Sequence, residues 1–94
     1  MISEKDIEHK LVVMTKRRGG IALKFVSPSF NGMPDRLVLM KKGKCGFVEV
    51  KAPGCKPRPL QVSRHEMLRR LGFKVYVLDD VNQIGGILDD IQNL

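Results

Sequence analysis

Tryptophan is absent from this chain of 94 residues, and its aromatic set is one Tyr and four Phe. So few rings cannot form the row of stacking surfaces used by sequence-tolerant single-strand binders, and they leave the core mainly aliphatic. Long apolar runs are missing as well: stretches such as Leu37–Met40 fall far short of the ~20 residues that cross a bilayer. No basic stretch leading into an apolar segment and a small-residue cleavage site opens the chain, so the expectation is an intracellular, cytoplasmic protein, of the kind a virus or mobile element can encode. Cysteine is scarce. Cys45 and Cys55 read as free thiols in a reducing compartment, and although His9 and His65 add zinc-ligand types, no close C-x-x-C or H-x-x-x-H pair accompanies them.

Basic charge is what the chain has in excess. Seventeen Lys and Arg against ten Asp and Glu give a formal net charge of +7 and a pI near 9.8. The excess is uneven. All 17 basic residues but only six acids lie in residues 1–78, a net +11, whereas residues 79–94 hold Asp79, Asp80, Asp89 and Asp90 and no basic residue. A small body so charged attracts polyanions and raises encounter rates with nucleic acid. With 43% hydrophobic residues, no repeat, no biased tract and no linker, residues 1–94 read as one domain with one core.

Local signals divide the chain into seven elements. Ser3 is a candidate N-cap, Glu4 and Asp6 suit a first helical turn, and Ile7, Leu11 and Met14 recur at helical spacing, which predicts a helix over 4–17 ended by Gly19-Gly20. Strands are expected at 21–26, 35–40, 46–51 and 73–78, with loops at Ser27–Pro34 and Ala52–Pro59 and a hairpin turn at Lys41–Lys44. Pro59 opens a helix whose apolar side is Leu60, Met67, Leu68 and Leu71, closed by Gly72. Asp79 and Asp80 cap a last helix carrying Val81, Ile84, Leu88 and Ile91, weakened by Gly85-Gly86. The order α-β-β-β-α-β-α implies an α/β fold, a small mixed sheet flanked by helices.

Chemistry concentrates in the third strand. Side chains there repeat every two residues, so Glu49 and Lys51 share a face. Asp35 opens the preceding strand, and its side depends on the pairing register. If paired residue numbers add to an even value such as 86, Asp35 faces Lys51 and Leu37 faces Glu49; an odd value sends Asp35 to the other face. Two carboxylates beside a cation suit a hard divalent ion, which binds one or two carboxylates, waters and a phosphate. Such an ion lowers the pKa of a bound water and stabilises phosphate charge, while a lysine offsets charge in the transition state. Taken alone, Glu49 and Lys51 read as an ordinary exposed strand pair.

Pro34-Asp35 followed by Glu49-Val50-Lys51 is similar to the signature of the PD-(D/E)xK nuclease superfamily. The wider run Asn31-Gly32-Met33-Pro34-Asp35-Arg36-Leu37, then Gly46-Phe47-Val48-Glu49-Val50-Lys51-Ala52, then Leu60-Gln61, resembles the VRR-NUC domain, the virus-type replication-repair nuclease branch. The likeness covers nearly the whole chain. It implies a restriction-endonuclease-like core, with Glu8, Asp35 and Glu49 and the Val50 carbonyl as ligands of Mg²⁺ or Mn²⁺, Lys51 as catalytic lysine and Gln61 beside the site. The implied activity is metal-dependent hydrolysis of DNA phosphodiesters by an endonuclease, and versions without accessory domains suit homodimers acting on branched DNA such as four-way (Holliday) junctions in replication, recombination or repair. No catalytic position is missing.

Read by itself, Glu8 borders the inward side of its helix, where a carboxylate needs a partner, a metal or a path to solvent. Lys16, Arg17 and Arg18 fit both a helix C-terminus and phosphate contact. Arg36, Lys56 and Arg58 are further candidates for DNA contact, Lys56 and Arg58 foremost because their loop follows the proposed active strand. His65, four residues after Gln61, reads as an ordinary, partly buried histidine rather than a neighbour of the active carboxylates. Two other readings stay open: a non-catalytic basic nucleic-acid-binding module, and a nuclease subunit that needs a partner. Monomeric action is likewise open.

Overall fold

The computed structural model describes residues 1–94. Ser3 caps the first helix, α1 (Glu4–Arg17), through a reciprocal box: its hydroxyl accepts from the Asp6 amide while the Asp6 carboxylate accepts from the Ser3 amide. Strands β1 (Ile21–Lys24), β2 (Arg36–Leu39) and β3 (Cys45–Val50) follow as an antiparallel meander. Helix α2 (Pro59–Arg70) then crosses over to β4 (Val75–Leu78), which pairs parallel to β3, and α3 (Ile84–Gln92) ends the fold. The sheet order is β1-β2-β3-β4. The expected order of elements and the mixed sheet are thus both present, with strands one or two residues shorter than expected at several ends.

β3 is central, so its residues are covered on both faces and nearly all are buried. Alternation sends Val48 and Val50 to one side, where they pack with Ile7 and Leu11 of α1, Val38 of β2, Leu78 of β4 and Ile84, Leu88 and Ile91 of α3. Phe47 points to the other side and meets Leu68 of α2 and Val75 of β4. Three of the four Phe line up there edge to face, with ring centroids 5.5 Å apart for Phe25–Phe47 and 5.8 Å for Phe47–Phe73. Gly46 lets α3 approach β3 closely, because a Cβ at that position would sit 2.9 Å from Ile91 Cδ1.

Three local details refine these expectations. The β2–β3 register pairs Arg36 with Val48, so partners add to 84 rather than 86; continued by one step, Asp35 stands opposite Glu49, not Lys51. The face is the one an even register requires. The connection Lys41–Gly43 is a 3₁₀ turn in which Lys42 and Gly43 both take positive φ. At the last helix, Asp80 alone caps, accepting from the Asn82 amide at 2.9 Å, and it caps a 3₁₀ turn (Val81–Gln83) that leads into α3. Asp79 instead exchanges hydrogen bonds with Gln83. The Gly85-Gly86 pair therefore lies in the first turn of α3 proper.

The buried side of α2 is a fourth. Leu60 and Leu71, expected to face inward, are exposed, and the stripe turned to the sheet is Gln61, His65 and Leu68. Spacing of four and three residues makes these one face of a helix. Two of the three are polar, and what they meet on the sheet is Glu49.

Candidate active site

The β1–β2 loop ends in Pro34, whose side chain is fully buried, and delivers Asp35 to the mouth of β2. The Asp35 carbonyl accepts from the Phe25 amide at 2.8 Å, and its Oδ1 accepts from the Val50 amide at 3.2 Å. Asp35 is therefore tied by backbone on both neighbouring strands. Glu49, one residue before the end of β3, is only 3% exposed. Gln61 Nε2 donates to its Oε2 at 3.3 Å, His65 Nε2 lies 3.3 Å from its Oε1, and Lys51 Nζ stands 4.0 Å from Oε2.

Burial, and then the hydrogen bond and negative charge of Asp35, push the Glu49 carboxyl up to about 8, with Lys51 pulling down and Glu4 pushing further up. Without a cation, the Glu49 carboxyl thus favours its neutral form near pH 7. His65 is held below the usual imidazole range, first by burial and then by the charges of Arg69 and Lys51. A neutral imidazole makes its contact with Glu49 a hydrogen bond rather than an ion pair. Gln61 uses both ends of its amide: Oε1 accepts from the Arg58 amide at 2.8 Å at the start of α2, while Nε2 holds Glu49.

Asp35, Glu49, Lys51 and Gln61, singled out by sequence, are brought together here. Val50 contributes its amide to Asp35 while its side chain fills the α1/α3 core. Glu8 is not brought to this group. Its Oε2 accepts from Arg36 Nε at 3.0 Å, and Arg36 Nη1 also donates to the Ala22 carbonyl, on the α1 side of the sheet. This contact occupies Arg36, which is half-buried and not free for phosphate. Glu4, one turn earlier on α1, is the acid of that helix whose charge is felt at Glu49. No three His, Cys, Asp or Glu side chains converge as a finished metal cage.

Among the other basic candidates, Lys16, Arg17, Lys56 and Arg58 are exposed. Arg18 is engaged by α3, donating to Asp89 Oδ1 at 2.6 Å and Gln92 Oε1 at 2.7 Å. His65, 2% exposed against Glu49, is not the ordinary histidine its sequence suggests but a neighbour of the active carboxylates; its distance of four from Gln61 on one helix is the signal that points there. Arg64, which by sequence reads as a solvated surface charge able to contact phosphate, is instead engaged within the fold. It stacks on the Phe30 ring with its guanidinium carbon 3.8 Å from the centroid and donates from Nε to the Asn31 carbonyl at 2.8 Å, clamping the Asp35 loop to α2.

The residues present fit a hard divalent cation. Two acids share one poorly solvated site, where burial first, and then the hydrogen bond and charge of Asp35, favour a proton on Glu49; a cation held between them would take that proton's place.

No family model matches the chain. A solved structure described as "VRR_NUC domain" superposes with a TM-score of 0.84 at 29% sequence identity, over 92% of this chain and 94% of that one. "Putative nuclease p44" of Acyrthosiphon pisum secondary endosymbiont phage 1 is 53% identical over 79 residues, covering 84% of this chain and 85% of that protein. Taken with the shared fold and the Asp35–Glu49–Lys51 cluster, that identity shows that the chain belongs to the VRR-NUC family and carries its nuclease-type domain.

Proposed function

We propose that the protein is a metal-dependent DNA endonuclease that hydrolyses phosphodiester bonds, selects branched DNA such as four-way junctions, and acts as a homodimer in replication, recombination or repair. The observation that carries the catalytic reading is Glu49, buried beside Asp35 with its carboxyl held up to about 8 and Lys51 Nζ 4.0 Å away. A carboxylate buried beside a second acid costs stability in its charged form, a cost that a bound cation would offset. Asp35 and Glu49 would hold Mg²⁺ or Mn²⁺, with the Val50 carbonyl and Glu8, here paired with Arg36, as the further ligands that the family resemblance implies. When bound, the ion supplies Lewis-acid stabilisation of phosphate charge and a more acidic water.

The chain's own residues do the rest. Lys51 offsets negative charge on the scissile phosphate and orients the attacking water. Gln61 and His65 fix both oxygens of Glu49, so the carboxylate is aimed before substrate arrives. Lys56 and Arg58, exposed on the loop that leaves β3, hold flanking phosphates. One catalytic cluster per chain cuts one strand, and paired cuts across a junction call for two copies related by a two-fold axis.

The test is incubation of the purified protein and its Lys51→Ala variant with labelled four-way junction, flap, duplex and single-stranded DNA, in Mg²⁺, Mn²⁺ or EDTA. Metal-dependent cleavage by wild type alone, fastest on the junction, is the expected result. Binding without cleavage by both proteins in every metal leaves a binding module or a partner-dependent subunit in its place. Sedimentation of the protein on the junction reads the copy number.

A further inference from the structure

At the ends of β2 and β3 away from Asp35 and Glu49, basic residues from separate parts of the chain meet. α1 ends in exposed Lys16 and Arg17, and the 3₁₀ turn between β2 and β3 presents exposed Lys41 and Lys42. The two segments touch: the Lys41 side chain lies on Gly19, where a Cβ would come within 2.8 Å of its Cε, and a Cβ at Gly20 would come within 2.5 Å of the Leu39 carbonyl oxygen. Beside them Lys44 Nζ donates to the Gln92 carbonyl at 2.7 Å. Lys41, Lys42, Lys44 and Gln92 line a depression of about 230 Å³ with no apolar side chain in its wall.

The nearby acids do not neutralise this pole. Asp89 is engaged by Arg18 at 2.6 Å, and Asp90 by Tyr76 and, at 3.7 Å, by Lys74. Lys16, Arg17, Lys41 and Lys42 take part in none of the chain's ion pairs. Lys42 also holds φ +66, a left-handed conformation that is strained for a residue with a Cβ and ordinarily filled by Gly or Asn. The turn therefore places a cation where a neutral residue fits with less strain.

We infer that this pole is a second anchoring site for the phosphate backbone of the DNA substrate, engaging a duplex segment remote from the bond that is cut. Asp35 to Lys41 spans six residues of extended chain and Lys44 to Glu49 five, so at about 3.3 Å per residue the pole lies roughly 17–20 Å from the carboxylates. At ~3.4 Å per base pair that is about five or six steps of duplex. The inference rests on the nuclease reading for the identity of its ligand.

The experiment compares Lys41→Glu/Lys42→Glu with a charge-matched control, Lys10→Glu/Arg70→Glu, and with wild type. Binding of a labelled junction with long arms is measured across a salt series in EDTA; cleavage of that junction and of a hairpin stem of about six base pairs is measured in Mg²⁺. The pole variant is expected to bind the junction about tenfold more weakly, with a salt slope smaller by about 2, and to cut the short stem as wild type does. The control is expected to follow wild type on both DNAs. Equal losses in the two variants, or none in either, overturn the inference. If wild type cuts neither DNA, the nuclease reading falls, and the difference in salt slope between the two variants still decides the pole.

Discussion

Glu49 Oε1 and His65 Nε2 lie 3.3 Å apart, and each belongs to a side chain almost wholly withdrawn from solvent. The histidine is kept neutral by burial and by neighbouring positive charge, so it holds the glutamate without neutralising it. Partners of this kind behind a ligating carboxylate are worth about 10- to 100-fold in metal affinity or activity. His65→Ala is expected to lower metal-dependent cleavage by about that factor, and His65→Gln, which retains a donor, to lose less. Cleavage rates against metal concentration for the two variants check this.

Glu49 also dictates a pH dependence of stability. Its folded-state pKa of about 8 lies above the ordinary 4.5, so the native state binds this proton more tightly than the unfolded chain does. The contribution is full below about pH 4.5, declines as pH rises, and is gone above about 8. Glu49→Gln, an amide of the same shape that cannot ionise, is expected to be more stable than wild type at pH 8 in EDTA by about 1–3 kcal/mol, the gap closing toward pH 5. Urea unfolding of both proteins at pH 5, 7 and 8 measures it.

Metal binding follows from the same proton. At pH 7 a cation taken up by Asp35 and Glu49 must displace it, so Mn²⁺ binding is expected to release close to one proton and to tighten as pH rises toward 8. Titration calorimetry in buffers of different ionisation enthalpy counts the protons. Release should vanish in Glu49→Gln.

Arg64 holds the loop that carries Asp35 by stacking on Phe30 and binding the Asn31 carbonyl. Gly32 lets that loop lie against α2, with a Cβ there only 2.8 Å from Leu60 Cγ. Arg64→Ala is expected to cost about 1–2 kcal/mol of stability and to slow cleavage by mispositioning Asp35, and Arg64→Lys to restore little, since an ammonium neither stacks flat nor offers a directed fork. Thermal unfolding and single-turnover rates separate the two effects.

Much of this architecture is legible in local chemistry. Ser3 with Asp6, Pro59 and the alternation in Phe47–Val50 mark element types through backbone capping and side-chain period, which depend on neighbours in sequence. The pairing of Asp35 with Glu49 rather than Lys51 is not local: it depends on how the Lys41–Gly43 turn closes, and a shift of two residues leaves the face unchanged. α2 shows the same limit. Apolar character points to Leu60 and Leu71 as its inner side, yet Gln61 and His65 turn inward because the sheet offers them a buried carboxylate. Glu8 was legible as an acid needing a partner; that Arg36 supplies one follows only from the packing of α1 on β2.

The central claim is that Asp35, Glu49 and Lys51 cut DNA with the help of a divalent cation. Its most direct test is the single-turnover cleavage rate on a labelled four-way junction for wild type, Asp35→Ala and Lys51→Ala, each in Mg²⁺ and in EDTA. The account predicts strand scission by wild type in Mg²⁺ only, with both variants at background while still folded and still binding the junction. Cleavage that persists in EDTA, or in either variant at the wild-type rate, contradicts it.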